Sequence, residues 1–130
     1  MNVTLLRKIK KHILEEPKRL AMDYTLLIKP DRYGIPKARM PKCGTIGCIA
    51  GWACVLSGMT PEVADKLPEG LIYKKAREVL RLTEEEGFRL FLDYEKDSKR
   101  TYFSDTRGTK EEAELIGKRI DLFIRTKGRE

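Results

Sequence analysis

The stretch CGTIGCIAGWACVLSG, residues 43–58, holds most of the residues in this chain that could do chemistry. It contains all three cysteines, Cys43, Cys48 and Cys54, with four glycines, the only tryptophan and no charged side chain. The only histidine, His12, lies outside it. Thiols and imidazoles act as metal ligands and nucleophiles, and glycine-rich backbone binds anions. Three kinds of site must therefore be weighed against plain helix packing.

The number and spacing of these ligands argue against a metal site. A structural zinc site takes four nitrogen or sulfur ligands, commonly in pairs spaced about two to four residues apart. Here four residues separate Cys43 from Cys48, five separate Cys48 from Cys54, and one histidine is available. On a helix, Cys48 and Cys54 would lie about 240° apart around the axis and face away from each other. The sequence predicts neither a metal ion nor a cofactor.

A reactive thiol is the second kind of site. A cysteine in the first turn of a helix faces unpaired N–H groups and the positive end of the helix dipole, which stabilise the thiolate. We expect Cys48 to have this position, with Cys43 nearby and His12 as the sole available base, so these three residues are the catalytic candidates for a thiol-dependent enzyme. We favour a non-enzymatic protein, because a lone histidine beside an apolar helix stripe is more often packed than catalytic.

An anion site is the third kind. The CGTIG segment offers backbone N–H groups at the start of a predicted helix, and a strongly basic segment runs directly into it. A P-loop would end in lysine followed by serine or threonine, and this segment does not. The candidate anion-binding residues are Lys29, Arg32, Lys37, Arg39, Lys42, Gly44, Thr45 and Gly47.

Tight packing explains the same sixteen residues without any chemistry. Gly47 and Gly51 are four residues apart, as are Ala50 and Cys54, and small side chains at this spacing let neighbouring helices approach closely. Free cysteine is also among the most buried residue types. A buried central helix therefore remains the competing interpretation.

The net charge of +7 is concentrated in the first third of the chain. Residues 1–42 hold 11 Lys and Arg against 4 Asp and Glu, whereas residues 43–130 hold 16 of each. Such asymmetry indicates either an anionic partner or a solvated basic face that only aids solubility. Glutamine is absent while lysine, arginine and glutamate are abundant, a composition that predicts a thermophilic source.

The sequence predicts a cytoplasmic protein without a membrane span. Charges at residues 7–16 fall where a secretory signal needs an apolar segment. The uncharged run from residue 43 to 61 is interrupted by glycines and a proline, which leaves a helix of core length. Three cysteines without an export signal fit a reducing compartment.

The hydrophobic periodicity predicts a mainly α fold, a single compact helical domain of about five helices. The predicted helices cover residues 3–15, 45–58, 71–81, about 83–92 and about 110–126, with a further short helix starting at Thr60. Residues 24–40 contain strand formers and turn residues, so we expect a short β-hairpin or an extended loop there. Residues 93–108 are polar and rich in turn formers and predict a loop.

Residues 43–53, CGTIGCIAGWA, resemble the Cys-Gly-Thr-x-x-Cys-Ile-Ala-Gly signature of an uncharacterised family of small bacterial and phage proteins. The segments PKRLAMD and VLRLTEEEGFRLF also fit that family's layout, so the resemblance touches about half of the chain. It implies a cytoplasmic protein of phage or mobile-element origin, and it implies no activity and no catalytic residue.

Together these features favour a small binding module whose basic N-terminal third engages an anionic partner: a nucleic acid, a nucleotide or an acidic protein surface. A thiol enzyme using Cys48 is the first alternative. A protein inhibitor of a host factor is the second, by analogy with other small phage proteins.

Overall fold

Six α-helices and one two-stranded sheet make up the part of the chain that the computed structural model describes, residues 1–22, 24–28, 35–92 and 108–130. The helices are α1 Val3–Glu15, α2 Ile49–Leu56, α3 Pro61–Lys66, α4 Glu69–Leu80, α5 Glu84–Phe91 and α6 Lys110–Arg125. The strands are β1 Leu26–Leu27 and β2 Ile46–Gly47, and 3₁₀ helices cover Pro17–Arg19 and Lys37–Arg39. The predicted mainly α class is confirmed.

Local sequence signals account for most helix starts. Asn2 caps α1 by accepting a hydrogen bond from the Leu5 N–H at 3.0 Å, and Thr60 caps α3 directly before Pro61. Thr83 and Glu86 form the predicted capping box of α5, each side chain bonding the other residue's backbone N–H. Such caps satisfy N–H groups that the first helical turn leaves unpaired.

The β-structure differs in part from the predicted hairpin. A strand does form within residues 24–40, at Leu26–Leu27, but its antiparallel partner is Ile46–Gly47. The sequence predicts that the central helix begins near Thr45 and Ile46. That helix instead begins at Ile49, because Ile46 and Gly47 pair with β1 and hold the backbone extended.

The core is centred on α2, which packs against α1 and α4. All but the last two residues of α2 are buried. The other helices each turn an apolar face toward the core, as their spacing predicts. The largest fully buried side chains are Leu6, Ile9, Ile13, Leu20, Ile46, Ile49, Ile72, Leu80, Leu90, Ile116 and Phe123.

A buried arginine on α6 fixes the end of the described chain. Arg119 is 5% exposed and donates to the Arg89 carbonyl at 2.5 Å and to the Glu130 carbonyl. Arg89 in turn donates to the Gly128 carbonyl at 2.6 Å. The Arg89 carbonyl lies in the last turn of α5, where backbone carbonyls lack helical partners, and hydrogen bonds from charged donors to such carbonyls are strong.

Two sequence predictions reach beyond the described residues. Residues 93–107 of the predicted loop are outside the described ranges, and only Gly108 of that loop is described. Lys29 and Arg32 of the predicted anion site are also outside the described ranges. Within the described ranges, no helix is long and apolar enough to cross a membrane.

Candidate functional site

The stretch at residues 43–58 is packed against the backbone of residues 24–26. The Cys48 N–H donates to the carbonyls of Tyr24 at 3.0 Å and Thr25 at 3.3 Å. A Cβ atom at Gly51 would lie 1.7 Å from the Thr25 carbonyl oxygen, and one at Gly47 would lie 3.0 Å from the same atom. At Gly51 only glycine leaves room for this approach, and at Gly47 any side chain would make a tight contact, so both glycines serve packing.

Cys48 lies at the N-cap of α2, directly before the helix, and is 2% exposed. Its thiol is 3.8 Å from the Thr25 carbonyl oxygen. Burial raises the pKa of Cys48 to about 11, although the backbone N–H groups of Gly51 and Ala50 oppose that shift. Desolvation thus outweighs the helix terminus at Cys48 and favours the protonated thiol over the expected thiolate.

The other two cysteines differ from each other in exposure. Cys54 is fully buried and faces the Ile72 carbonyl at 3.6 Å, and burial raises its pKa to about 11, with a smaller contribution from Cys48. Cys43 is exposed, and its thiol faces the Thr45 carbonyl at 3.6 Å. No hydrogen bond joins His12 to any of the three cysteines, all of which are described.

His12 belongs to a packed cluster around Arg19. Its ring meets the Trp52 ring edge-on, with centroids 4.2 Å apart, and its Nδ1 lies 3.3 Å from Arg19 Nη1. Because a guanidinium only donates, His12 Nδ1 accepts, and the neutral ring carries its proton on Nε2. Burial first, and then the charge of Arg19, lower the pKa of His12 below 6.5. Its predicted role as a catalytic base has no structural support.

Arg19 ties this cluster to its surroundings. Its guanidinium donates to the His12 carbonyl at 2.9 Å and pairs with Glu15 and Glu16, at 3.7 and 3.4 Å. Its own carbonyl accepts from Trp52 Nε1 at 2.9 Å. Arg19 thus connects the end of α1 to the central helix.

The predicted backbone cradle for an anion is not open. The Gly44 N–H donates to the Pro41 carbonyl at 3.1 Å. Thr45 is 6% exposed, and Gly47 is buried in the sheet between Leu20 and β1. Sheet pairing replaces the predicted helix start, so Gly44, Thr45 and Gly47 do not form the helix-terminal cradle on which that prediction rested.

The basic side chains of the predicted site are better placed. Lys37, Arg39 and Lys42 are all exposed. The Ala38 carbonyl accepts from Lys18 Nζ at 2.8 Å, and the Lys42 N–H donates to Glu16 Oε1 at 2.8 Å. These contacts bring residues 37–42 beside the end of α1.

A polar groove of about 400 Å³ lies at this junction. Lys18, Lys42 and Lys110 line it, together with Glu15, Glu16, Pro17, Arg19 and Gly108. Lys18 and Lys110 were not among the predicted site residues. Their approach depends on contacts between distant parts of the chain, for which this sequence carries no local signal. We call Lys18, Lys37, Arg39, Lys42 and Lys110 the basic face.

Among the described residues, no group of three or more His, Cys, Asp or Glu side chains is placed to hold a metal ion. No family model matches the chain, and comparison with curated proteins and with solved structures found no match. The resemblance carried by residues 43–53 thus stays a prediction.

Two glycine substitutions test the packing role of residues 43–58. We expect Gly51→Ala to lower the free energy of unfolding by about 3 kcal/mol, because its methyl group would overlap the Thr25 carbonyl. Gly117→Ala is the matched control in α6, where the nearest atom is the flexible Lys10 side chain at 3.4 Å. It should raise stability by up to about 1 kcal/mol. Urea unfolding measures both, and equal effects would contradict the packing role.

Thiol accessibility should divide the cysteines by burial. In the native protein we expect a disulfide-exchange reagent to modify Cys43 quickly, and Cys48 and Cys54 only after denaturation. A Cys43→Ser variant should then show no fast reaction. Rapid modification of Cys48 in that native variant, at or below neutral pH, would contradict the buried position and revive a thiol enzyme.

Protonation of His12 should destabilise the fold. Since its folded-state pKa lies below 6.5, the unfolded state binds more protons as the pH falls through 6.5. The contribution of neutral His12 to the free energy of unfolding is complete above pH 6.5 and is lost as the pH falls through the folded-state pKa. Proton NMR of the single imidazole should give a pKa below 6.5, and His12→Gln should reduce the loss of stability on acidification. A folded-state pKa above 6.5 would contradict the cluster geometry.

Proposed function

We propose that this protein is a small binding module that engages an anionic partner through its basic face. The observation that carries the proposal is the pair of contacts, Lys18 to Ala38 and Lys42 to Glu16, that joins two basic segments into one surface. The charge excess of residues 1–42 supports it, because the rest of the chain has no net charge.

The arrangement of charge at this face favours a partner over a purely internal role. Glu15 and Glu16 both pair with Arg19, which keeps their charge close to the end of α1. Lys110 is exposed and its only ion pair with a described residue is the long contact to Glu114 at 3.9 Å. Loosely paired surface lysines contribute little to stability, but they attract anions over about one Debye length.

The three cysteines support a reducing compartment for this activity. All three are free thiols. Such thiols persist where glutathione or thioredoxin keeps them reduced. A cytoplasmic location is therefore part of the proposal.

Charge reversal tests the proposed face. The test variant replaces Lys37, Arg39 and Lys42 by glutamate, and the control variant replaces Lys66, Lys74 and Arg129. All six side chains are exposed, and both variants have the same net charge. Binding to a short DNA duplex, to polyuridine RNA and to polyglutamate is measured by fluorescence anisotropy at several salt concentrations.

We expect at least one of these probes to bind and its affinity to fall with salt. On duplex DNA, log K should fall by about 0.9 per log unit of salt for each neutralised phosphate. The test variant should lose at least about tenfold in affinity and the control variant about threefold or less. No binding at low salt, salt-independent binding, or equal losses in both variants would contradict the proposal.

A further inference from the structure

A second groove adjoins the basic face along α1. It has a volume of about 530 Å³ and is lined by Arg7, Lys10, Lys11, Leu14, Glu15 and Asp121. Glu15 lines both grooves, so the two meet near the C-terminal end of α1. The second groove lies between α1 and α6, because Asp121 belongs to α6 and the other lining residues belong to α1.

Leu14 is the one apolar side chain among the described residues that line this groove. Leu14 is 38% exposed there, although it belongs to the apolar residues of α1. The facing position on α6 is Gly117, where a Cβ would lie 3.7 Å from Leu14 and 3.4 Å from the Lys10 side chain. A glycine at this point brings the helices together without a side chain to cover Leu14.

The rim of the groove is positively charged. Lys10 pairs with Asp121 at 2.6 Å, and Lys11 pairs loosely with Glu15 at 3.8 Å. Arg7 is exposed and forms no ion pair with any described residue. Among the described residues that line the two grooves, seven side chains are cationic and three are acidic.

This combination fits one class of partner better than the others. Single-stranded nucleic acid is held by stacking bases on aromatic side chains, and none of the described residues that line the two grooves is aromatic. Contacts with the phosphates of a duplex would use the cations of the grooves and leave Leu14 without a partner. A protein segment with acidic residues around an apolar side chain would use both features, since apolar anchors with charged rims are common in protein recognition.

We propose that the groove between α1 and α6 docks an acidic segment of a partner protein, which inserts an apolar side chain against Leu14. Its carboxylates contact Arg7 and, further along, the lysines of the basic face. This inference rests on the proposed function and names the partner class: an acidic protein, with nucleic acid as the rival outcome.

Two labelled peptides test the inference with the full-length protein. One is a short chain of aspartate and glutamate with a central pair of leucines, and the other has serines in place of the leucines. A short DNA duplex is the third probe. The variants are Leu14→Gln and, as control, Leu71→Gln, which alters an exposed leucine of α4. Because both leucines are partly exposed, both variants should fold, and thermal unfolding checks this.

The wild-type protein should bind the leucine peptide about tenfold more tightly than the serine peptide, a difference of about 1.4 kcal/mol. Leu14→Gln should abolish that preference and Leu71→Gln should retain it. Equal affinity for the two peptides, a preference that survives in Leu14→Gln, or tighter binding of duplex DNA than of either peptide would overturn the inference and leave the proposed function standing. Failure of all three probes to bind at low salt would overturn both.

Discussion

The close approach of α2 to the backbone of residues 24–26 constrains the rest of this structure. At Gly51 the helix lies so near the Thr25 carbonyl that no side chain fits between them. The same carbonyl accepts a hydrogen bond from the Cys48 N–H. Cys48 is the single residue between the end of β2 and the start of α2. The contact lies directly beside the pairing of β1 with β2 and at the buried start of α2.

Trp52, one residue beyond Gly51, extends this constraint to α1. Its indole N–H holds the Arg19 carbonyl, and its ring packs on His12. Arg19 forms ion pairs with Glu15 and Glu16, and Glu16 accepts a hydrogen bond from the Lys42 N–H. A chain of contacts thus leads from the central helix to the basic face. The unusual stretch at residues 43–58 acts as the support of a surface, while the surface itself is made by lysines elsewhere in the chain.

Local signals made much of the fold predictable. Two helix starts depend only on neighbours in sequence: Thr60 directly before Pro61, and Thr83 three residues before Glu86. The start of α2 could not be found this way. Cys48 caps it without a side-chain hydrogen bond, and the extended backbone before it is held by β1, about twenty residues earlier. Periodicity within one segment contains no record of such pairing.

The candidate site was predictable to a similar degree. The charge excess of residues 1–42 indicated which part of the chain is basic, and Lys42 lies where that part meets the rest of the fold. Lys110 could not be assigned to the same surface, since a groove between distant segments brings it there. Gly44 and Gly47 of CGTIG were predicted to bind an anion because a helix start was expected there. Gly47 instead pairs with β1, and the Gly44 N–H donates to the Pro41 carbonyl.

Native-state hydrogen exchange at the Cys48 amide tests the central claim most directly, because this N–H group lies at the contact between α2 and residues 24–26. If the contact holds the fold together, the amide should exchange only through global unfolding, and its exchange free energy should equal that of urea unfolding. Exchange with a free energy several kcal/mol lower would show that α2 separates from β1 while the rest stays folded, and would contradict the account.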